Sequence, residues 1–199
     1  MLIAFEGIDG SGKSTQARLL AESLAKSGVI VELTREPTKE GSAGVLLRKE
    51  LVEVSHEPDP RYMQLLFVAD RAWHVANFIL PKINHGAVVI TDRYIDSTRV
   101  YGAASGLEIG WLTQLNSKFP KADITFILDI TPEEAEKRLA SRNSKKEIFE
   151  SKKMLIKLRS AYSRISRGKT GYHVINANRS QDEIHTEIAS IVREALKQK

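Results

Sequence analysis

Near the start of the chain, Gly7-Ile8-Asp9-Gly10-Ser11-Gly12-Lys13-Ser14 fits the spacing G-x-x-x-x-G-K-[ST]. A short apolar run, Leu2-Ile3-Ala4-Phe5, precedes it and reads as a buried strand. A helical pattern follows, with Leu19, Leu20, Ala21, Leu24 and Ala25 on one face. This order makes an anion cradle: loop N–H groups and the positive end of the helix point at the same place. Lys13 can reach the terminal phosphates of a nucleoside triphosphate, and the Ser14 hydroxyl can ligate Mg²⁺. The residue pattern alone arises by chance in roughly one chain of this size in a hundred, and the flanking strand and helix make it rarer.

Strands and helices alternate along the remainder. Strands are expected at Val29 to Leu33, Ala87 to Thr91, Ile124 to Ile130 and His173 to Asn176. The third of the five strands is a continuous β-branched run, as in strands covered on both faces. Helices are expected over roughly Ala43 to Glu53, Asp59 to Leu80, and 96 to 118 with an interruption at Gly102 to Gly110. Thr131-Pro132-Glu133-Glu134 opens another with a capping-box arrangement, and the last starts at Ser180 with Glu183 three residues on. Its stripe is Ile184, Ile188, Ile191 and Ala195. Five apolar strands separated by helices imply a parallel sheet in a three-layer α/β domain. Ligands in such sheets sit beyond the carboxyl ends of the strands, which selects Gly7 to Ser14, Arg35-Glu36, Asp92-Arg93 and the loop after Ile130.

At 199 residues the chain suits one domain, with no repeat, low-complexity tract or linker. It has no cysteine, which excludes disulfides, thiolate metal sites and thiol nucleophiles. No apolar stretch approaches the ~20 residues needed to span a membrane. The first strand begins without a basic n-region or cleavage site, so a cytoplasmic protein is expected rather than a secreted one. The formal charge of +5 suits polyanions, and without any nucleic-acid-reading motif it points to nucleotide phosphates rather than DNA or RNA.

A phosphate loop alone does not separate a kinase from a switch. The third strand ends in Asp92-Arg93-Tyr94, which puts a carboxylate where it can hold Mg²⁺ and an arginine beside a transferred phosphoryl group. From Phe5 to Thr15, and then in Thr34-Arg35-Glu36-Pro37, Leu65 to Ala72, Asp92-Arg93-Tyr94 with Ser97 and Tyr101, and Leu128 to Glu134, the chain resembles the thymidylate kinase family. Five blocks in the right order span nearly its whole length.

The resemblance implies a P-loop NTPase fold of nucleoside-monophosphate-kinase type, with a short lid at about 142–153. It implies phosphoryl transfer from ATP to dTMP, giving dTDP and ADP, a step in dTTP synthesis, with Mg²⁺. Gly7, Ile8, Asp9, Gly10, Ser11, Gly12, Lys13, Ser14 and Thr15 would bind nucleotide, and Ser14, Asp92 and Glu36 would serve the metal. Phe67 would stack on thymine and Arg71, at i+4 on the same helix face, would hydrogen-bond its O4 edge. Tyr101 would crowd out a ribose 2′-hydroxyl, and Asp9 would take the 3′-hydroxyl. Arg93 would bridge the acceptor phosphate, assisted by Arg35 or Arg48, with Pro37 and Ser97 also lining the substrate site.

Such catalysis is positioning plus charge neutralisation, from Lys13, Arg93, Mg²⁺ and a closing lid. The loop itself carries no arginine, and the resemblance implies that the lid, at the basic stretch near Arg142-Asn143-Ser144-Lys145-Lys146, brings one, with Arg142 or Arg138 the candidate. The chain departs from the family pattern in three places. Gly102 follows Tyr101 where glutamine is common, Glu147-Ile148 stands for Asp-Arg, and Thr38-Lys39-Glu40-Gly41 replaces a turn with a Gly pair. Thymine differs from uracil by one methyl group, worth ~1–3 kcal/mol in an apolar pocket, so dUMP is expected to be a poor but measurable substrate. Purine monophosphates should not fit.

The nearest rival is a kinase for UMP/CMP or AMP. A switch GTPase would need Asn-Lys-x-Asp after a strand, and Pro120-Lys121-Ala122-Asp123 precedes one. A nucleic-acid-binding ATPase rests on charge alone. The helix over Asp59 to Leu80 is apolar on more than one face, through Leu65, Leu66, Val68, Ala69, Trp73, Val75 and Phe78, which suggests a homodimer.

Overall fold

The computed structural model of the chain describes residues 1–52, 58–141 and 151–197. At its centre is a five-stranded sheet: β1 (Leu2–Glu6), β2 (Val31–Arg35), β3 (Val88–Asp92), β4 (Ile124–Asp129) and β5 (Tyr172–Asn176). The order is β2-β3-β1-β4-β5 and every pairing is parallel. β1 and β3 are buried at every position, which explains the apolar runs Leu2 to Phe5 and Val88 to Ile90 that open them. Alternation along β1 sends Ile3 and Phe5 to one face and Leu2 and Ala4 to the other, and the two sets join separate cores. Phe5 meets Phe126 of β4 at 5.2 Å between ring centres.

Helices cover both faces: α1 (Lys13–Lys26), α2 (Ser42–Val52), α3 (Pro60–His74), α4 (Leu80–Asn84), α5 (Ile95–Ala104), α6 (Ile109–Leu115), α7 (Pro132–Ala140), α8 (Lys152–Ser166) and α9 (Gln181–Lys197). This is the three-layer phosphate-loop NTPase arrangement expected. Three local differences have physical reasons. β2 starts later than its apolar run and extends to Arg35, because that edge strand pairs with β3 through Arg35 opposite Asp92. The helix expected to end at Leu80 continues to Asn84 through a π-helical turn, Val75–Ile79. The widening lies just ahead of Pro81, which has no N–H to give the preceding turn. Lys152 and Lys153, expected at the edge of the lid, form the first turn of α8 behind a Ser151 cap.

Both expected helix starts are capped. At α9 the box is reciprocal: Ser180 N–H donates to the Glu183 carboxylate at 3.0 Å, and Glu183 N–H donates to Ser180 Oγ at 3.4 Å. At α7, Thr131 Oγ accepts from Glu134 N–H, but the return arm comes from Asn178, whose Oδ1 accepts from Thr131 N–H at 3.2 Å. Glu134 instead accepts from Arg138. No helix among the described residues is long and apolar enough to cross a membrane.

The register positions the site. Phe5 and Arg35 both lie opposite Asp92, so the loop after β1 and the ends of β2 and β3 share one edge, where the chain turns outward from the central strand in both directions.

Candidate active site

The loop between β1 and α1 holds Gly7 at φ 139° and Gly10 at φ 82°, backbone that L side chains rarely adopt. At Gly10 space is also closed: a Cβ would stand 2.7 Å from the Ala135 carbonyl oxygen of α7. An arginine at this loop position is therefore excluded sterically. Lys13 donates to the Ile8 carbonyl at 2.8 Å, inside the loop. Burial pushes its ammonium down to about 8, with the Arg93 charge adding to the effect and Asp9, Asp92 and Glu6 opposing it. Ser14 Oγ donates to Asp92 Oδ2. Asp92 Oδ1 and Ser11 Oγ are buried without a hydrogen-bond partner among the described residues.

Beside the loop, Arg93 takes left-handed backbone at φ 72°, a strained choice for a non-glycine residue. Its guanidinium donates to Asp9 Oδ1, to the Gly7 carbonyl at 3.3 Å and to Ser97 Oγ at 3.2 Å. It also lies 5.0 Å from the centre of the Tyr101 ring, whose hydroxyl donates to Asp9 Oδ2 at 2.9 Å. Burial alone would raise the Asp9 carboxyl, but Arg93 and then Lys13 outweigh it and hold the group down to about 2. Beneath them Glu6, fully buried, accepts from Tyr94 N–H and from the Ser97 and Tyr162 hydroxyls, tying β1 to α5 and α8. Burial, and next the Asp96 charge, lift Glu6 to about 7 despite those bonds.

On the base side, Arg71 and Glu36 both line the cleft and pair with each other. Arg71 is 1 % exposed and all five of its N–H groups have protein acceptors. Nε and Nη2 donate to Glu36 Oε2 at 2.9 and 2.7 Å, and Nη2 also to the Tyr94 carbonyl at 2.8 Å. Nη1 donates to Thr98 Oγ1 at 2.8 Å and to Asn116 Oδ1. Glu36, expected near Mg²⁺, is equally occupied: its Oε1 is bonded to His74 Nδ1 at 3.1 Å. With that nitrogen protonated, His74 Nε2 accepts from Thr34 Oγ1 at 2.7 Å. Glu36 thus anchors Arg71 in the wall.

Phe67, half-buried on α3, lines the cleft, as do exposed Arg35, buried Pro37 and half-buried Ser97. Arg48 lines it too while donating to the carbonyls of Pro37 at 2.8 Å and Thr38 at 3.1 Å. The same cleft reaches Asp9, Gly10, Gly12, Lys13, Ser14, Thr15, Asp92, Arg93 and Tyr101, so the two groups of expected residues share one cavity. Arg142 lies outside the described residues. Arg138 is at hand: its Nη2 donates to the Ala177 carbonyl at 3.1 Å, and Nη1 would be 4.0 Å from a Cβ on Gly12. Among the described residues no three His, Asp or Glu side chains gather as a metal cluster.

Sequence reasoning missed Glu6, Gln64, His74, Thr98 and Asn116. Gln64 and His74 could have been found by extending the helical spacing from Phe67 and Arg71 along α3. Asn116, at the end of the short α6, carried no motif.

The thymidylate kinase family model matches residues 5–188. A probable thymidylate kinase of Pyrococcus horikoshii is 38 % identical over 202 residues, covering 98 % of this chain and 96 % of its own. Another, from Thermococcus onnurineus, is 38 % identical over 207 residues, with 98 % of each covered. A third, from Pyrobaculum calidifontis, is 39 % identical over 196 residues, covering 98 % of this chain and 97 % of its own. With a phosphate loop, a strand-end Asp-Arg pair and an α3 wall meeting in one cleft, this chain belongs to the thymidylate kinase family.

Proposed function

We propose that the protein transfers the γ-phosphoryl group of ATP to dTMP, giving dTDP and ADP. The observation that carries this reading is the continuity of the cleft from Lys13 and Ser14, past Asp9, Arg93 and Tyr101, to Phe67. A triphosphate on the loop and a deoxynucleotide against Phe67 would direct their phosphates at each other across Arg93. Asp9 and Tyr101, hydrogen-bonded together, suit a sugar with a 3′-hydroxyl and nothing at 2′. Arg93 neutralises the acceptor phosphate on exchanging part of its bond to Asp9, and Lys13 serves the donor phosphates. Arg35 and Arg48 add positive charge on the acceptor side.

The residues present fit Mg²⁺: Asp92 Oδ1 is a buried, unpartnered hard oxygen beside the Ser14 hydroxyl. Bound there, the ion would neutralise charge on the β- and γ-phosphates. Glu36 takes no part in this reading, which replaces its expected metal role by support of Arg71. A catalytic cation from beyond the loop is needed, from Arg142 or from Arg138, which already stands beside Gly12.

The test is ADP release with ATP, Mg²⁺ and dTMP, dUMP, UMP, CMP, AMP or GMP. The expected result is strong turnover of dTMP and roughly 10–200-fold less efficient use of dUMP. AMP turned over as well as dTMP would overturn the reading.

The chain also acts as a homodimer in this reading. Leu65 and Trp73 on α3, and Val45 and Leu46 on α2, remain exposed, and the two helices pack against each other. Sedimentation as a monomer at micromolar concentration would refute it.

A further inference from the structure

Gln64 precedes Phe67 by three residues and Arg71 by seven on α3, so the three share a helix face, and all line the cleft. It is 1 % exposed, yet its Oε1 has no hydrogen-bond partner among the described residues. Buried polar atoms are rarely left so, and the exceptions call for a reason such as a ligand. The space around it is shaped by a second residue. A Cβ at position 102 would stand 3.2 Å from Gln64 Cγ and 2.7 and 2.8 Å from the Leu112 methyl groups. Gly102 therefore admits the Gln64 side chain to this wall. The neighbouring Arg71 guanidinium is shared among Glu36, Tyr94, Thr98 and Asn116.

Resting on the pyrimidine monophosphate reading above, we propose that Gln64 reads the edge of the base. A carboxamide offers one acceptor and two donors in a plane. Its Oε1 accepts the N3–H of thymine, and its Nε2 donates to an adjacent ring carbonyl, while Phe67 supplies the stacking face.

The experiment compares dTMP with N3-methyl-dTMP, which lacks the N3–H, in wild type, Gln64→Met and Gln64→Ala. Methionine keeps the bulk without the amide. Its expected effect is a rise in KM for dTMP of about ten- to hundredfold, as for a lost pair of hydrogen bonds, with KM for ATP unchanged. The wild-type preference for dTMP over N3-methyl-dTMP should shrink in Gln64→Ala, which removes both the acceptor and the obstacle to the methyl group. Thermal midpoints identify any variant that misfolds. If Gln64→Met does, Gln64→Ala carries both readouts, because truncation crowds nothing near Gly102. A folded variant with wild-type KM for dTMP, or an unchanged preference in Gln64→Ala, would overturn the assignment. Wild type failing to phosphorylate dTMP would instead strike the thymidylate reading itself.

Discussion

At the base end of the cleft, Thr34, His74, Glu36, Arg71, Thr98 and Asn116 form a buried chain in which each Arg71 N–H has an acceptor. At the phosphate end, Asp92 keeps one buried oxygen unpartnered among the described residues, Lys13 is displaced from its ordinary protonation range, and Arg93 sits on strained backbone. The first region is a wall whose polar groups satisfy one another, with Gln64 Oε1 unpartnered among the described residues. The second holds a buried ammonium, a guanidinium on left-handed backbone and a carboxylate with one oxygen unpartnered among the described residues. Rigidity is invested where a flat ring must be recognised, and unmet electrostatic demand where charge must be gathered. One cleft contains both because β1 and β3 deliver the phosphate end while α3 delivers the wall.

The largest expected effect separates the two by stability. Glu36→Ala leaves Arg71 as a buried charge without its carboxylate, a change that costs about 3–5 kcal/mol. For a domain of this size that is a fall in melting midpoint of roughly 6–20 °C. Asp92→Asn disturbs little packing and leaves the wall whole, so its midpoint should stay within a few degrees while turnover collapses. Calorimetric melting of both variants, with kcat measured alongside, checks this. Equal destabilisation by the two substitutions would erase the contrast between wall and phosphate end.

The same contrast explains what was legible in the sequence. The phosphate loop, Asp92 and Arg93 were readable because their chemistry demands particular residues at fixed spacing next to strand ends. The sheet was readable because buried parallel strands must be apolar. The wall was harder. A helix position such as Arg71 shows that it faces the cleft, but not whether its donors point into it or back into the protein. That depends on Glu36 just after β2 and Asn116 just after α6, which lie 35 and 45 residues away in sequence. Gly102 could be seen as a departure, but only packing against Leu112 and Gln64 shows what the missing side chain permits. The π-helical turn before Pro81 was likewise hidden, because the apolar periodicity runs through it without a break.

The subtler prediction concerns protons at the phosphate end. Burial, and then Arg93, place Lys13 at about 8 in the free protein, below its usual 10.5. Below that pH the ammonium is already charged, so a polyanion binds without changing its protonation. Above it the free side chain is neutral, and the phosphates favour the charged form, so binding must draw a proton from solvent. Nucleotide affinity is therefore expected to fall as pH rises through 8, by up to about tenfold per unit once Lys13 is neutral. Titration calorimetry with ADP at pH 7 and 9, in buffers of different ionisation heat, measures the uptake directly. It should approach one proton at pH 9, lie near zero at pH 7, and be missing from Lys13→Met at both. An equal proton count for wild type and Lys13→Met at pH 9 would mean that Lys13 is already fully charged in the free protein. The phosphate end would then be as electrostatically settled as the wall, and its capacity to gather a nucleotide would have to come from Arg93 and the loop N–H groups alone.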